Sequence, residues 1–191
     1  MRRTVFDTPI VSQLFRFISW LGLKLAGWKI EGEPPKTDRY VLIAAPHTSN
    51  WDFPLTLALA FQMKIKVFWM GKSTLFRGPM GPIMRWLGGI PVYRQQANGL
   101  VQQIVDQFNR CKELVVVIPP EGTRSKATRW KSGFYHVANE ARVPIALGFL
   151  DFKHKVGGIN GLFETTGNYH QDLAKIQSFY RNIAGKKPDQ A

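Results

Sequence analysis

Apolar and polar positions along this 191-residue chain follow two periods. Dense apolar runs at residues 40–45, 66–70, 90–93, 114–118 and 143–152 read as strands. A further run at 159–163 follows Gly157-Gly158, which reads as a turn leading into an edge strand. Between the runs, apolar residues recur every three to four positions. Residues 54–63 read as a helix with Pro54 in its first turn, and 98–112 as one opened by the capping residue Asn98. A helix over 132–142 follows a basic loop. Another over 172–184 carries Leu173, Ile176, Phe179, Tyr180 and Ile183 on one face and stops at Gly185. Strands alternating with helices predict an α/β fold: a single layered domain with a mostly parallel central sheet flanked by helices.

The N-terminal segment has its own pattern. Residues 10–28 are mostly apolar, but Arg16 and Lys24 interrupt them. The uninterrupted stretch falls short of the about 20 residues a membrane-crossing helix needs. No A-x-A-like site follows, and no clean apolar region follows Arg2-Arg3, so neither a signal peptide nor a twin-arginine leader is expected. On a helical wheel Ile10, Val11, Leu14, Phe15, Phe17, Ile18, Leu21, Leu25 and Trp28 share one face. Ser12, Gln13, Arg16, Ser19 and Lys24 take the other, with Trp20 and Leu23 out of place there. Such an amphipathic helix either lies in a membrane interface or packs on the domain by its apolar face. The expected organisation is an amphipathic helix over 1–30, a domain over 31–185 and a polar, frayed tail over 186–191.

Composition narrows the partners. Hydrophobic residues at 45% and charged residues at 20% are globular values and exclude disorder. The net charge of +13 calls for an anionic partner: a nucleic acid, an anionic membrane face, or an acidic carrier or substrate. No nucleic-acid recognition motif is visible, so nucleic acid is not the expected partner. The single Cys111 excludes an internal disulfide and closes an amphipathic pattern as a packed thiol. His136, His154 and His170 show no ligand spacing, so no metal site is expected. Gly71-Lys72-Ser73-Thr74 looks like the end of a P-loop, but Lys66 stands where that motif needs glycine.

Two motifs carry candidate chemistry. His47-Thr48-Ser49-Asn50-Trp51-Asp52 ends the first strand run. His47 and Asp52 are too far apart for one helix face, but meet if the chain turns through Ser49-Asn50 and Asp52 opens the next helix. A carboxylate on one imidazole nitrogen fixes the tautomer and makes the other nitrogen a competent base. The plainer reading is a satisfied histidine beside a helix-capping aspartate. Glu121-Gly122-Thr123-Arg124 follows Leu114–Ile118 and a Pro119-Pro120 break. Gly122 permits close backbone approach, Thr123 offers a hydroxyl, and Arg124 offers a planar fork for phosphate. The plainer reading is an ordinary turn. Behind Gly88-Gly89, the strand Ile90 to Tyr93 ends in Arg94, a second arginine suited to a doubly charged phosphate or to solvent. Lys126, Arg129 and Lys131 read as a solvated basic face, or as contacts to headgroups or an acidic carrier. Ligands gather at the carboxyl ends of parallel strands, so these motifs are expected to converge.

In this order the motifs resemble the glycerolipid acyltransferase family typified by 1-acylglycerol-3-phosphate acyltransferases. Four blocks recur across residues 46 to 148. His47 and Asp52 match the H-x4-D box; Gly88 or Gly89, Ile90 and Arg94 match the second block; Pro120 to Arg124 match P-E-G-T-R; Val143-Pro144-Ile145 match the V-P-I block. Lys72, Leu75 and Phe76 resemble a lysine-containing segment between the first two. The resemblance implies that His47 is a general base on a glycerol-type hydroxyl, supported by Asp52. The hydroxyl would attack an acyl thioester of coenzyme A or acyl carrier protein directly, with no cofactor. Arg94, Arg124, Lys72 and the Glu121-Gly122-Thr123 backbone would hold the phosphate of a lyso-phospholipid acceptor. It also implies a peripheral protein on the cytoplasmic face of the membrane, acting in phospholipid synthesis. Ala146-Leu147-Gly148 and Pro119 depart from the family pattern, leaving lysophosphatidic acid and other lyso-lipids, including amino-acid-derived ones, open as acceptors. The rival classes are a basic nucleic-acid-binding module and a lipid-binding protein without catalysis. The apolar stretch 75–87, with Met80, Ile83, Met84 and Trp86, reads as core before it reads as an acyl tunnel.

Overall fold

The computed structural model describes residues 3–93, 99–123 and 129–190. Seven strands form one sheet: β1 (Lys29–Glu31), β2 (Arg39–Ala45), β3 (Val67–Lys72), β4 (Gly89–Val92), β5 (Leu114–Ile118), β6 (Ile145–Asp151) and β7 (Val156–Phe163). Their order is β1-β7-β6-β2-β5-β3-β4, and every neighbouring pair is parallel except the β6–β7 hairpin. Among the described residues, six α-helices accompany it: α1 (Pro9–Leu25), α2 (Asp52–Gln62), α3 (Met80–Trp86), α4 (Gly99–Arg110), α5 (Gly133–Ala141) and α6 (Tyr169–Tyr180).

The strands at the centre are apolar on both sides because both sides are covered. In β2, Val41 and Ile43 point to a core built with Phe108 of α4, Phe134 and Val137 of α5 and Ile176 of α6. Tyr40 and Leu42 point the other way, to Ala60 of α2 with Met63 and Ile65 just beyond it. All five residues of β5 are buried. This is the layered α/β architecture that the alternating pattern predicts.

Several boundaries differ from the sequence expectation. Gly157 and Gly158 lie inside β7, not in a turn before it; the hairpin turn falls earlier, where Lys155 adopts φ 53°. Nor is β7 an edge, because β1 pairs beyond it, with Lys29 opposite Val156 and Glu31 opposite Gly158. A Cβ on Gly158 would collide with the Glu31 carbonyl oxygen, so glycine is what allows β1 to approach. Helix α2 starts at Asp52, with Pro54 as its third residue. Helix α6 starts at Tyr169, capped by the Asn168 side chain accepting from the Gln171 amide at 3.2 Å, and ends at Tyr180 well before Gly185. Asn98 lies outside the described residues.

Helix α1 lies along α2, running the opposite way. Phe15 stacks on Phe61 with centroids 5.4 Å apart, Arg16 Nε donates to the Phe61 carbonyl at 3.3 Å, and Gln62 donates to the Arg16 carbonyl at 2.7 Å. Nearer the sheet's carboxyl edge, Leu23 is buried with Leu59 and Leu150. The helix therefore docks through the 11, 15, 19, 23 row, which includes the leucine that looked misplaced. Most of the wheel's apolar face points outward instead: Ile10 is 83% and Leu25 79% exposed, with Leu14, Phe17, Ile18 and Leu21 also exposed. No helix among the described residues is long and apolar enough to cross a membrane.

Candidate active site

The chain leaves β2 through a cis Ala45–Pro46 peptide, and the loop ends where α2 begins at Asp52. Asp52 Oδ2 accepts from the Thr48 and Ser49 amides, both at 2.8 Å, and lies 3.0 Å from His47 Nδ1. The carboxylate thus closes the loop and partners the imidazole; the amides it accepts from precede α2, so it does not act as the helix cap. It sits in the first turn of α2, where the helix dipole favours negative charge. Asp52 is buried, whereas the His47 side chain is 23% exposed. With Nδ1–H donating to Asp52, the Nε2 lone pair is free to act as a base.

Glu121 joins the second motif to the first. It is buried, and its Oε1 accepts from the His47 backbone amide at 3.2 Å. Burial pushes its carboxyl above the ordinary value; the amides of Glu121 and His47 pull the other way, and the Asp52 charge pushes it up again. Among the described residues, Asp52 Oδ1 and Glu121 Oε2 are buried without a hydrogen-bond partner. The sequence expectation placed Glu121 in a phosphate-holding turn, yet its side chain braces the His47 loop from beneath. Nothing local to the Glu-Gly-Thr-Arg pattern signals that contact, which spans 74 positions.

Gly122 and Thr123 are exposed. Gly122 adopts φ 64°, the left-handed region that glycine occupies freely. Lys131 lies directly over it: a Cβ at Gly122 would come 2.9 Å from Lys131 Cδ, and the Lys131 amide donates to the Pro120 carbonyl at 2.8 Å. This lysine is exposed, as the solvated-face reading expects, and it borders the turn. Thr123 follows Gly122, while Arg124 and Arg94 lie outside the described residues. Lys72 ends β3, exposed and opposite Val92 of β4. The order β2-β5-β3-β4 therefore lines up the strand ends that carry His47, the Glu121 turn, Lys72 and the approach to Arg94.

Behind His47 a cavity of about 300 Å³ runs between α2 and the sheet. His47, Ser49 and Asp52 lie at one end; Ala60, Met63 and Ile65 lie at the other, with Leu42, Val67 and Ile159 along its wall. Its lining is overwhelmingly apolar. Residues 75–87 do not line it, and the core reading holds for little of that stretch: Phe76 is buried against Trp69, but Leu75, Met80 and Ile83 are about half exposed and Met84 and Trp86 only partly buried. A second His–Asp contact, His154 Nδ1 to Asp151 Oδ2 at 2.6 Å, closes the β6–β7 turn, and His154 is exposed. Among the described residues, no group of three or more His, Cys, Asp or Glu is arranged to hold a metal ion.

The described residues thus place a carboxylate-partnered imidazole beside an apolar cavity, on the carboxyl edge of a mostly parallel sheet. Residues 28–146, which carry His47, Asp52 and most of the cavity lining, match the Acyltransferase family, and the chain belongs to that family. The fold is similar to the crystal structure of the 1-acyl-sn-glycerophosphate (LPA) acyltransferase PlsC from Thermotoga maritima. The TM-score is 0.62 at 15% sequence identity, over 88% of this chain and 76% of that one. Comparison with curated proteins by sequence returns no match.

Proposed function

We propose that the protein transfers a fatty acyl group from an acyl thioester, of coenzyme A or acyl carrier protein, to the hydroxyl of a lyso-glycerophospholipid. The observation that carries this reading is the 3.0 Å contact between His47 Nδ1 and Asp52, both lining the apolar cavity, within an Acyltransferase domain. The acyl chain occupies the cavity with its thioester carbonyl at His47. Nε2 of His47 takes the proton of the acceptor hydroxyl as its oxygen attacks the carbonyl carbon. The C–S bond then breaks, and the imidazolium returns the proton to the leaving thiolate. No acyl-enzyme and no cofactor enter. Asp52 stabilises the transient imidazolium. Arg94, Arg124, Lys72, Thr123 and the Gly122 backbone hold the acceptor's phosphate, with Glu121 fixing the His47 loop rather than touching phosphate.

The acceptor and the membrane fit one picture. The outward apolar row of α1 and the net charge of +13 suit docking on an anionic bilayer. Because α1 runs antiparallel to α2, that row leads toward the end of α2 that carries the site. This supports a peripheral enzyme on the cytoplasmic membrane face that draws lyso-lipid from the bilayer. The test is a panel: purified protein, phosphate-bearing and phosphate-free lyso-lipids, both thioester donors, and mass detection of products. A new ester on a phosphate-bearing lyso-lipid is the expected result. Liposome binding without transfer from either donor would make the protein a lipid binder and defeat the proposal.

A further inference from the structure

The segment after α6 does not leave the domain. Past Tyr180 the chain turns back, and the Ala184 carbonyl accepts from the Phe152 amide at 2.9 Å, at the end of β6. Gly185 is buried flush against the loop that follows β2: a Cβ there would come 2.7 Å from Thr48 Oγ1 and 2.8 Å from its Cγ2. The Lys187 amide donates to Thr48 Oγ1 at 3.2 Å, and the Lys186 ammonium sits 4.6 Å from the centre of the Trp51 ring. Residues 186 and 187, expected to fray, are thus tied to the loop between His47 and Asp52.

Thr48 is the joint. It is 1% exposed, so water does not compete for its hydroxyl. Its side chain accepts from the tail, while its own amide donates to Asp52 Oδ2, the oxygen that partners His47. We propose that residues 184–187 act as a clasp that positions this loop, with Thr48 as the positioning residue that passes the constraint to the His47–Asp52 pair. The wedge-shaped gap that only glycine fits at 185 and the three separate attachments at 184, 186 and 187 distinguish a clasp from a casual surface contact. A loop held from both sides keeps Nε2 aimed at the acceptor oxygen, and small misplacements of a reacting group are costly in rate.

This inference rests on the reading of His47 and Asp52 as the base pair, and its test separates the two. Acyl transfer is measured for the full chain, for Thr48→Val, for Thr48→Ser, for deletion of residues 184–191, and for the deletion combined with Thr48→Val. Melting curves confirm folding, and His47→Ala serves as the control. Thr48→Val and the deletion should each lower kcat about ten-fold while leaving both KM values within a factor of about two. The combination should cost no more than either change alone, and Thr48→Ser, which keeps the acceptor oxygen, should restore activity. If the deleted protein fails to fold, Gly185→Ala replaces it as a wedge against Thr48 and should give the same kcat loss. Wild-type kcat in the deletion or Gly185→Ala variant, or losses that multiply in the combination, would overturn the clasp while the His47→Ala loss upheld the site. Full activity in His47→Ala would overturn the site reading, and the clasp with it.

Discussion

Replacing Asp52 by Asn isolates the charge of the carboxylate from its role in closing the loop. The Asn carbonyl oxygen can take the Oδ2 position and still accept from the Thr48 and Ser49 amides, so the loop keeps its shape. What disappears is the negative charge 3.0 Å from His47 Nδ1. At that distance and an effective dielectric of about 20, an imidazolium and a carboxylate attract by roughly 5.5 kcal/mol. The neutral amide retains about 1–1.5 kcal/mol as an ordinary hydrogen bond. His47 is 23% exposed, so solvent and salt trim the remainder further. The net loss is about 3 kcal/mol of transition-state stabilisation, or roughly 10²-fold in kcat. Both KM values should stay near wild type, because the charge matters only once His47 has taken the proton. The assay is continuous thiol release from a thioester donor with lyso-lipid present, checked by mass detection of the ester. A variant within about three-fold of wild-type kcat would refute the reasoning, as would a loss confined to KM.

The remaining predictions draw on other parts of the molecule. Asp172 is fully buried and accepts from the Tyr135 hydroxyl at 2.8 Å and from the Thr166 amide at 2.7 Å. Burial opposes its ionisation, but these donors outweigh it and hold the carboxyl below its usual value, so its stabilisation is present above about pH 4 and lost as pH falls further. Thermal melts should therefore show Asp172→Asn well below wild type at neutral pH, with the gap closing below about pH 4. Changing Leu14, Ile18 and Leu25 together to Ser strips the outward face of α1; affinity for anionic liposomes in a flotation assay should fall by about 10²-fold. Transfer to detergent-dispersed lyso-lipid should be unaffected. Ala60→Phe intrudes on the inner half of the cavity, so kcat/KM for a long-chain donor should drop about ten-fold relative to a short-chain one.

The parts of this architecture that were legible in the sequence are those whose signal is local. The runs that became β2 and β5 are apolar at nearly every position, because a central parallel strand is covered on both faces. His47 and Asp52 are five positions apart, and their meeting follows from a turn through Ser49-Asn50 into a helix, as observed. Strand β1 was not legible: three residues, all exposed, leave no period to read, and its place depends on a glycine 127 positions away in β7. The wheel of α1 grouped its apolar residues correctly but could not say which row would face the domain. Side-chain hydrogen bonds from Arg16 and Gln62 to backbone carbonyls and the packing of Leu23 chose a different one. Gly185 looked like a helix stop because local rules place glycine there; its reason for being small is Thr48, far away in the chain. Glu121 has the same history, read as part of an anion turn and found beneath His47.

The central claim is that His47 is the base for direct acyl transfer, and single-turnover kinetics of His47→Ala test it most directly. Enzyme in excess over a radiolabelled long-chain acyl thioester is mixed with lyso-lipid, and the ester and any protein-bound label are followed together. Ester formation should slow by about 10³-fold or more in a protein whose melting temperature matches wild type. No label should appear on the protein at any time, in the variant or the parent. Ester formation at the wild-type rate in His47→Ala, or labelled protein that chases into product, would contradict the claim.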